Sequence, residues 1–135
     1  MSSQHPSSFL RRVLMLDALA SGATALLLLG AAGYIDDLLG LPVAFMRGAG
    51  LVLIPYVAFV ASVATRERLE PAAVWAIIVS NGLWAGASCL VLVSGMVAAT
   101  GLGVAFVLAQ AVVVAVLGEL QYLGLRRAPV AAAQG

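Results

Sequence analysis

The sequence predicts an all-α protein: a four-transmembrane-helix bundle running up-down-up-down, with both termini cytoplasmic. Three observations carry that expectation. The 135 residues are 63% hydrophobic and only 10% charged, where a soluble domain carries about 25% charged residues. Mean hydropathy is +1.09, more apolar surface than so small a volume can hide from water. Six of the seven arginines fall in three pairs, Arg11 with Arg12, Arg66 with Arg68, and Arg126 with Arg127, leaving Arg47 by itself. The apolar stretches between these points have the length of about 20 residues that crosses a bilayer. Basic residues mark the ends that stay in the cytoplasm.

Each element follows in order. Met1 to Ser8 is a polar leader holding the one histidine, His5. Helix 1 is expected over residues 10–32. A cleaved signal peptide is the competing reading, with Arg11-Arg12 as its basic start and Gly30-Ala31-Ala32 as a small-residue cleavage site. Asp17 interrupts the apolar run such a peptide needs, so a retained helix is expected. Gly33 to Pro42, with Asp36 and Asp37, reads as the first loop. Helix 2 is expected over 43–65 and contains Pro55, whose missing N–H should free the carbonyl of Leu51. After the charged turn Arg66 to Glu70, Pro71 suits the first turn of helix 3, expected over 71–93. Ser94 to Gly101 is an uncharged turn, helix 4 is expected over 102–124, and Ala128 to Gly135 is a small-residue tail. Short turns predict that helices 2 and 3, and helices 3 and 4, pack antiparallel. The chain reads as a single integral membrane domain over residues 1–135.

Composition excludes several chemistries. One cysteine, Cys89, cannot form an intramolecular disulfide, and one histidine with one cysteine cannot build a Cys/His zinc site or a bis-histidine haem site. Lysine is absent, which removes Schiff-base chemistry and the phosphate-binding lysine of a P-loop. A net charge of +1, with the basic residues at helix ends, gives nucleic acid no footprint. No nucleophile–base pair, metal cluster or cofactor motif is present, so no enzyme, cofactor or metal is expected.

The polar residues inside the apolar stretches are the candidate sites, because each is costly there. Asp17, Ser21 and Thr24, spaced by four and three residues, form one stripe on helix 1. Asp17 is either a cation- or proton-binding carboxylate, or is tied to an arginine of the cytoplasmic ends or to Asn81. Asn81 and Gln110 lie near the middles of helices 3 and 4. They read as a mutual amide pair, or as a midplane pocket with Tyr56 and Trp84 as walls. Gln110 and Gln121 share a face, about 20° apart on an ideal helix, while Glu119 lies about 180° from Gln110. One bundle cannot bury both faces, so Glu119 either reaches the cytoplasmic interface near Arg126 or meets another subunit. Gly82 and Gly86, with Asn81, Ala85, Ser88 and Cys89 beside them, make helix 3 the expected crowded helix. Arg47 is expected to pair with Asp36 or Asp37.

The segments LPVAFMRGAGLVLIPY, SNGLWAGAS and LGVAFVLAQAVVVAVLGELQYLGLRR resemble uncharacterised small bacterial four-helix integral membrane proteins. The resemblance implies a multi-pass protein of the bacterial inner membrane and supplies no activity. The chain is also similar in size and helix count to small multidrug resistance transporters, where Asp17 would be the only match to their helix 1 acid. It departs from them in its strong charge bias and in lacking an aromatic surround for that acid. Two functions from different classes follow. One is a non-catalytic accessory or scaffold subunit, surrounded by membrane lipids, that self-associates or packs against a larger membrane partner. The other is a small oligomeric transporter or channel using Asp17 or Glu119.

Overall fold

The computed structural model describes the backbone of residues 6–134 and the side chains of residues 8–127. Its elements are α1 (Pro6–Gly30), α2 (Ala32–Leu39), α3 (Val43–Ala64), α4 (Pro71–Ser94) and α5 (Gly101–Gln134), with no strand among the described residues. α1, α3, α4 and α5 are the four expected helices, and each is long and apolar enough to cross a membrane. His5 lies outside the described residues.

The stretch expected as a loop, Gly33 to Pro42, is largely helical. Its Gly and Asp content resembles a turn, but Ala32 and Leu39 give it an apolar face that is buried. Gly40 ends α2 in the left-handed region at φ +68°, and its N–H donates to the Asp36 carbonyl at 2.8 Å. Glycine takes that backbone without steric cost. α5 runs on past the expected end at Gly124 to Gln134, through a stretch rich in alanine, the best helix former.

Thr100 joins the end of α2 to the start of α5. Its hydroxyl donates to the Leu38 carbonyl at 2.7 Å and its N–H to the Leu39 carbonyl at 3.0 Å. The same hydroxyl accepts the Gly103 N–H at 3.1 Å, capping α5.

α1 lies at the centre, packed on α3 and α5, and α4 packs chiefly on α5. α3 and α4 scarcely touch, contrary to the packing expected from their short connection. The turn only brings their ends together; Tyr56 and Trp84 stand in the seam, and cavities fill the rest of it. Two apolar cores form. One joins Leu10, Leu14, Val60, Ile77 and Leu125, and the other joins Ala25, Leu28, Met46, Leu53 and Val107. Tyr56 packs against both.

α4 is the least buried helix rather than the most crowded. Only 11% of its apolar window is buried within the chain, against 39% for α1. Gly82 and Gly86 face open space, and Leu83, Leu90 and Val93 beside them are exposed. Close approaches are made instead at glycines of α3 and α5: an added Cβ would lie 2.8 Å from Leu29 at Gly50, 3.1 Å from Leu10 at Gly124 and 3.3 Å from Asn81 Cβ at Gly118.

At one end of the molecule the basic groups meet. Arg11 Nη1 donates to the carbonyls of Ala64 and Arg66, and Nη2 donates to that of Glu67 at 3.2 Å. Arg11 thereby satisfies the Ala64 carbonyl left open at the end of α3 and two carbonyls of the turn that follows. Arg127 stacks over Phe9 at 5.4 Å and Arg126 over Tyr122 at 5.7 Å. Arg47 forms no ion pair with Asp36 or Asp37, so that expected pairing is not made.

A methyl group at Gly103 would collide with the carbonyl oxygen of Leu39. Gly103→Ala is therefore expected to destabilise the fold by about 1–3 kcal/mol. Gly82→Ala meets nothing within 4 Å and should leave the melting temperature unchanged or slightly raised. Thermal unfolding of the two purified variants checks the contrast.

Candidate functional site

The periodicity of α1 puts Asp17 and Ser21 on its inward face, and both are buried, Asp17 completely. The two apolar cores leave one layer between them, and each of the four long helices sends a polar side chain into it. Ser21 Oγ donates to Asp17 Oδ1 at 3.1 Å. Three donors converge on Oδ2: Tyr56 Oη of α3 at 2.7 Å, Asn81 Nδ2 of α4 at 3.0 Å and Gln121 Nε2 of α5 at 2.7 Å. Asn81 Nδ2 also donates to Gln121 Oε1 at 3.0 Å. Tyr56 Oη lies 3.1 Å from Asn81 Oδ1 as well, so its single hydrogen serves two acceptors.

Both oxygens of Asp17 only accept, and every donor is neutral. No arginine bonds to it, because the nearest expected one, Arg11, is engaged with the end of α3. The expected tie to Asn81 is present and the tie to an arginine is not. Hydrogen bonds to a carboxylate are the strong members of their class. Their convergence here fixes the relative register of α1, α3, α4 and α5.

A second polar group lies further along α4 and α5. Trp84 Nε1 donates to Gln110 Oε1 at 2.7 Å, and Gln110 Nε2 donates to Ser88 Oγ at 2.9 Å and to the Val107 carbonyl at 2.7 Å. Asn81 and Gln110 therefore do not pair with each other. The expected pocket of Tyr56, Asn81, Trp84 and Gln110 divides into two networks. Tyr56, Asn81 and Trp84 still line one cavity, of about 160 Å³, whereas Gln110 lines neighbouring spaces with Trp84. The reason is register: Gln110 lies eleven residues before Gln121 on the same helix, about three turns away, so only Gln121 reaches the Asp17 layer.

Gln121 is the site residue that the sequence reading leaves without a role. Its signal was the shared face with Gln110, and that face proves buried at Gln121. Glu119, on the opposite face, is exposed and forms no bond among the described residues. Arg126 stacks on Tyr122, which in turn meets Trp75 edge-on at 5.6 Å, and does not pair with Glu119. Among the described residues no cluster of three or more His, Cys, Asp or Glu could hold a metal ion. No protein-family model matches the chain, and neither does any curated protein or solved structure.

Gln121→Leu removes a donor from a buried carboxylate and takes the acceptor from one hydrogen of Asn81 Nδ2. It is expected to cost about 1.5–3 kcal/mol. Gln110→Leu breaks two neutral interhelical bonds, to Trp84 and to Ser88, and should cost less, on the order of 1 kcal/mol. Equilibrium unfolding in mixed micelles ranks the two, and equal losses would contradict the distinct role given to the Asp17 layer.

Proposed function

We propose that this chain is a multi-pass protein of the bacterial inner membrane, an up-down-up-down bundle with both termini in the cytoplasm. We propose further that it serves as a non-catalytic accessory or scaffold subunit, associating with itself or with a larger membrane protein. The threading draws support from the meeting of Arg11, Arg66 and Arg127 with their neighbours at one end, with Arg47 outside that group. Trp75 and Tyr122 beside Arg126 suit the aromatic level of a membrane interface.

The accessory role rests on one observation above all: Glu119 is exposed on an apolar helix and has no partner among the described residues. A carboxylate on the outer face of a membrane helix is costly unless something meets it. The small-residue face of α4, open at Gly82 and Gly86, permits close approach by a neighbouring helix. Both features point away from the bundle, whereas the inward polar groups are satisfied by the chain itself. Under this reading, Glu119→Gln weakens assembly and leaves the monomer folded. Native mass spectrometry of the gently extracted protein measures it; unchanged assembly would remove Glu119 from the interface.

The second reading, a small oligomeric transporter or channel, is favoured by the cavity that touches three of the four donors to Asp17, namely Ser21, Tyr56 and Asn81. Under it, Asp17→Asn abolishes pH-dependent flux in proteoliposomes. Flux that survives the substitution would take Asp17 out of the mechanism.

A further inference from the structure

We propose that the cavity of about 160 Å³ beside the Asp17 layer is a binding site for a small organic ammonium ion. This goes beyond the accessory reading and does not depend on assembly.

The hydrogens of its polar lining are committed elsewhere. Ser21 Oγ donates to Asp17 and Ser80 Oγ donates to the Ala76 carbonyl at 2.8 Å. The one hydrogen of Tyr56 is held between Asp17 and Asn81. Both hydrogens of Asn81 Nδ2 are taken, by Asp17 and by Gln121. The Trp84 N–H is taken by Gln110. What these side chains still offer a guest is oxygen lone pairs and aromatic rings. The cavity therefore favours a ligand that donates hydrogen bonds, and disfavours an anion or a bare carbonyl.

Charge points the same way. Asp17 lies directly behind Ser21, Tyr56 and Asn81, and none of its partners carries a positive charge. An ammonium group supplies donors and a counter-charge together. Tyr56 and Trp84 add aromatic rings of the kind that attract such cations. The remaining walls, Val52, Leu53 and Val114, coordinate nothing, so they suit a hydrocarbon body better than a metal ion that needs six or more oxygens. In size the cavity compares with one of about 150 Å³ that accepts benzene, which sets the guest at about six heavy atoms. Val52 and Trp84 also line a wider groove of about 500 Å³ between α3 and α4, which gives a path from the side of the bundle.

The test uses the purified full-length chain in detergent, carrying Trp75→Phe so that Trp84 is the remaining tryptophan. Fluorescence is titrated at constant ionic strength with n-butylammonium and with 1-butanol, a neutral molecule of the same shape. The expected result is a saturable change with n-butylammonium and binding at least tenfold weaker with 1-butanol. Asp17→Asn should weaken n-butylammonium by tenfold or more. Val114→Phe, which fills the cavity and leaves the Asp17 hydrogen bonds alone, should abolish the response. No saturable change, equal binding of the two probes, or unaltered binding in a folded Val114→Phe variant would overturn the proposal. The probe comparison needs no cavity substitution, so it decides the matter even if that variant fails to fold. Loss of assembly in Glu119→Gln would leave this binding intact, which separates the two ideas.

Discussion

A carboxyl group with no exposed surface, in a chain that is mostly hydrocarbon, must be bonded on every side or it destabilises whatever contains it. Asp17 meets that demand with donors from all four long helices, and the geometry of the molecule follows from it. Tyr56 must reach across from α3, Asn81 from α4 and Gln121 from α5, so the registers of these helices cannot be chosen independently. Apolar packing above and below the layer would tolerate sliding, because Leu, Val and Ala side chains are interchangeable partners. A carboxylate with three donors on one oxygen is not. The open seam between α3 and α4 is part of the same arrangement. Those helices are linked through the Tyr56–Asp17–Asn81 bridge more than by direct packing, and space remains beside it.

The helical content and the four long apolar helices were legible because hydropathy and arginine placement report them directly. The inward stripe of α1 and the opposed faces of Gln121 and Glu119 were legible from helical periodicity. Other features were not. α2 escaped notice because Gly33, Asp36, Asp37 and Gly40 resemble a loop by composition, and its apolar face spans too few residues to stand out. The pairing of Asn81 with Asp17 and Gln121 rather than Gln110 depends on how far one helix is displaced along another. Single-chain periodicity gives the face of a residue but not its depth against a neighbour. Gly82 and Gly86 misled for a related reason. A small-residue stripe says that something can come close, and here nothing among the described residues does.

The polar groups thus sort into two populations with different meanings. Asp17, Ser21, Tyr56, Asn81 and Gln121 satisfy one another, and they leave only acceptors and aromatic rings facing a small cavity. Glu119 and the open face of α4 have no partner among the described residues and face outward from the bundle. The first population suits a fixed internal scaffold with a small-cation pocket. The second suits attachment to a neighbour. The two roles are compatible, because they occupy opposite sides of α5 and different faces of α4.

The dependence of the fold on Asp17 is tested most directly by a double-mutant cycle between Asp17→Leu and Asn81→Leu, followed by equilibrium unfolding in mixed micelles. If the carboxylate holds α1 to α4, the two substitutions are strongly non-additive, with a coupling of about 1 kcal/mol or more, because each single change strands the partner that the double change removes. Additivity within about 0.5 kcal/mol would mean that apolar packing sets the register, and that the Asp17 layer only follows it.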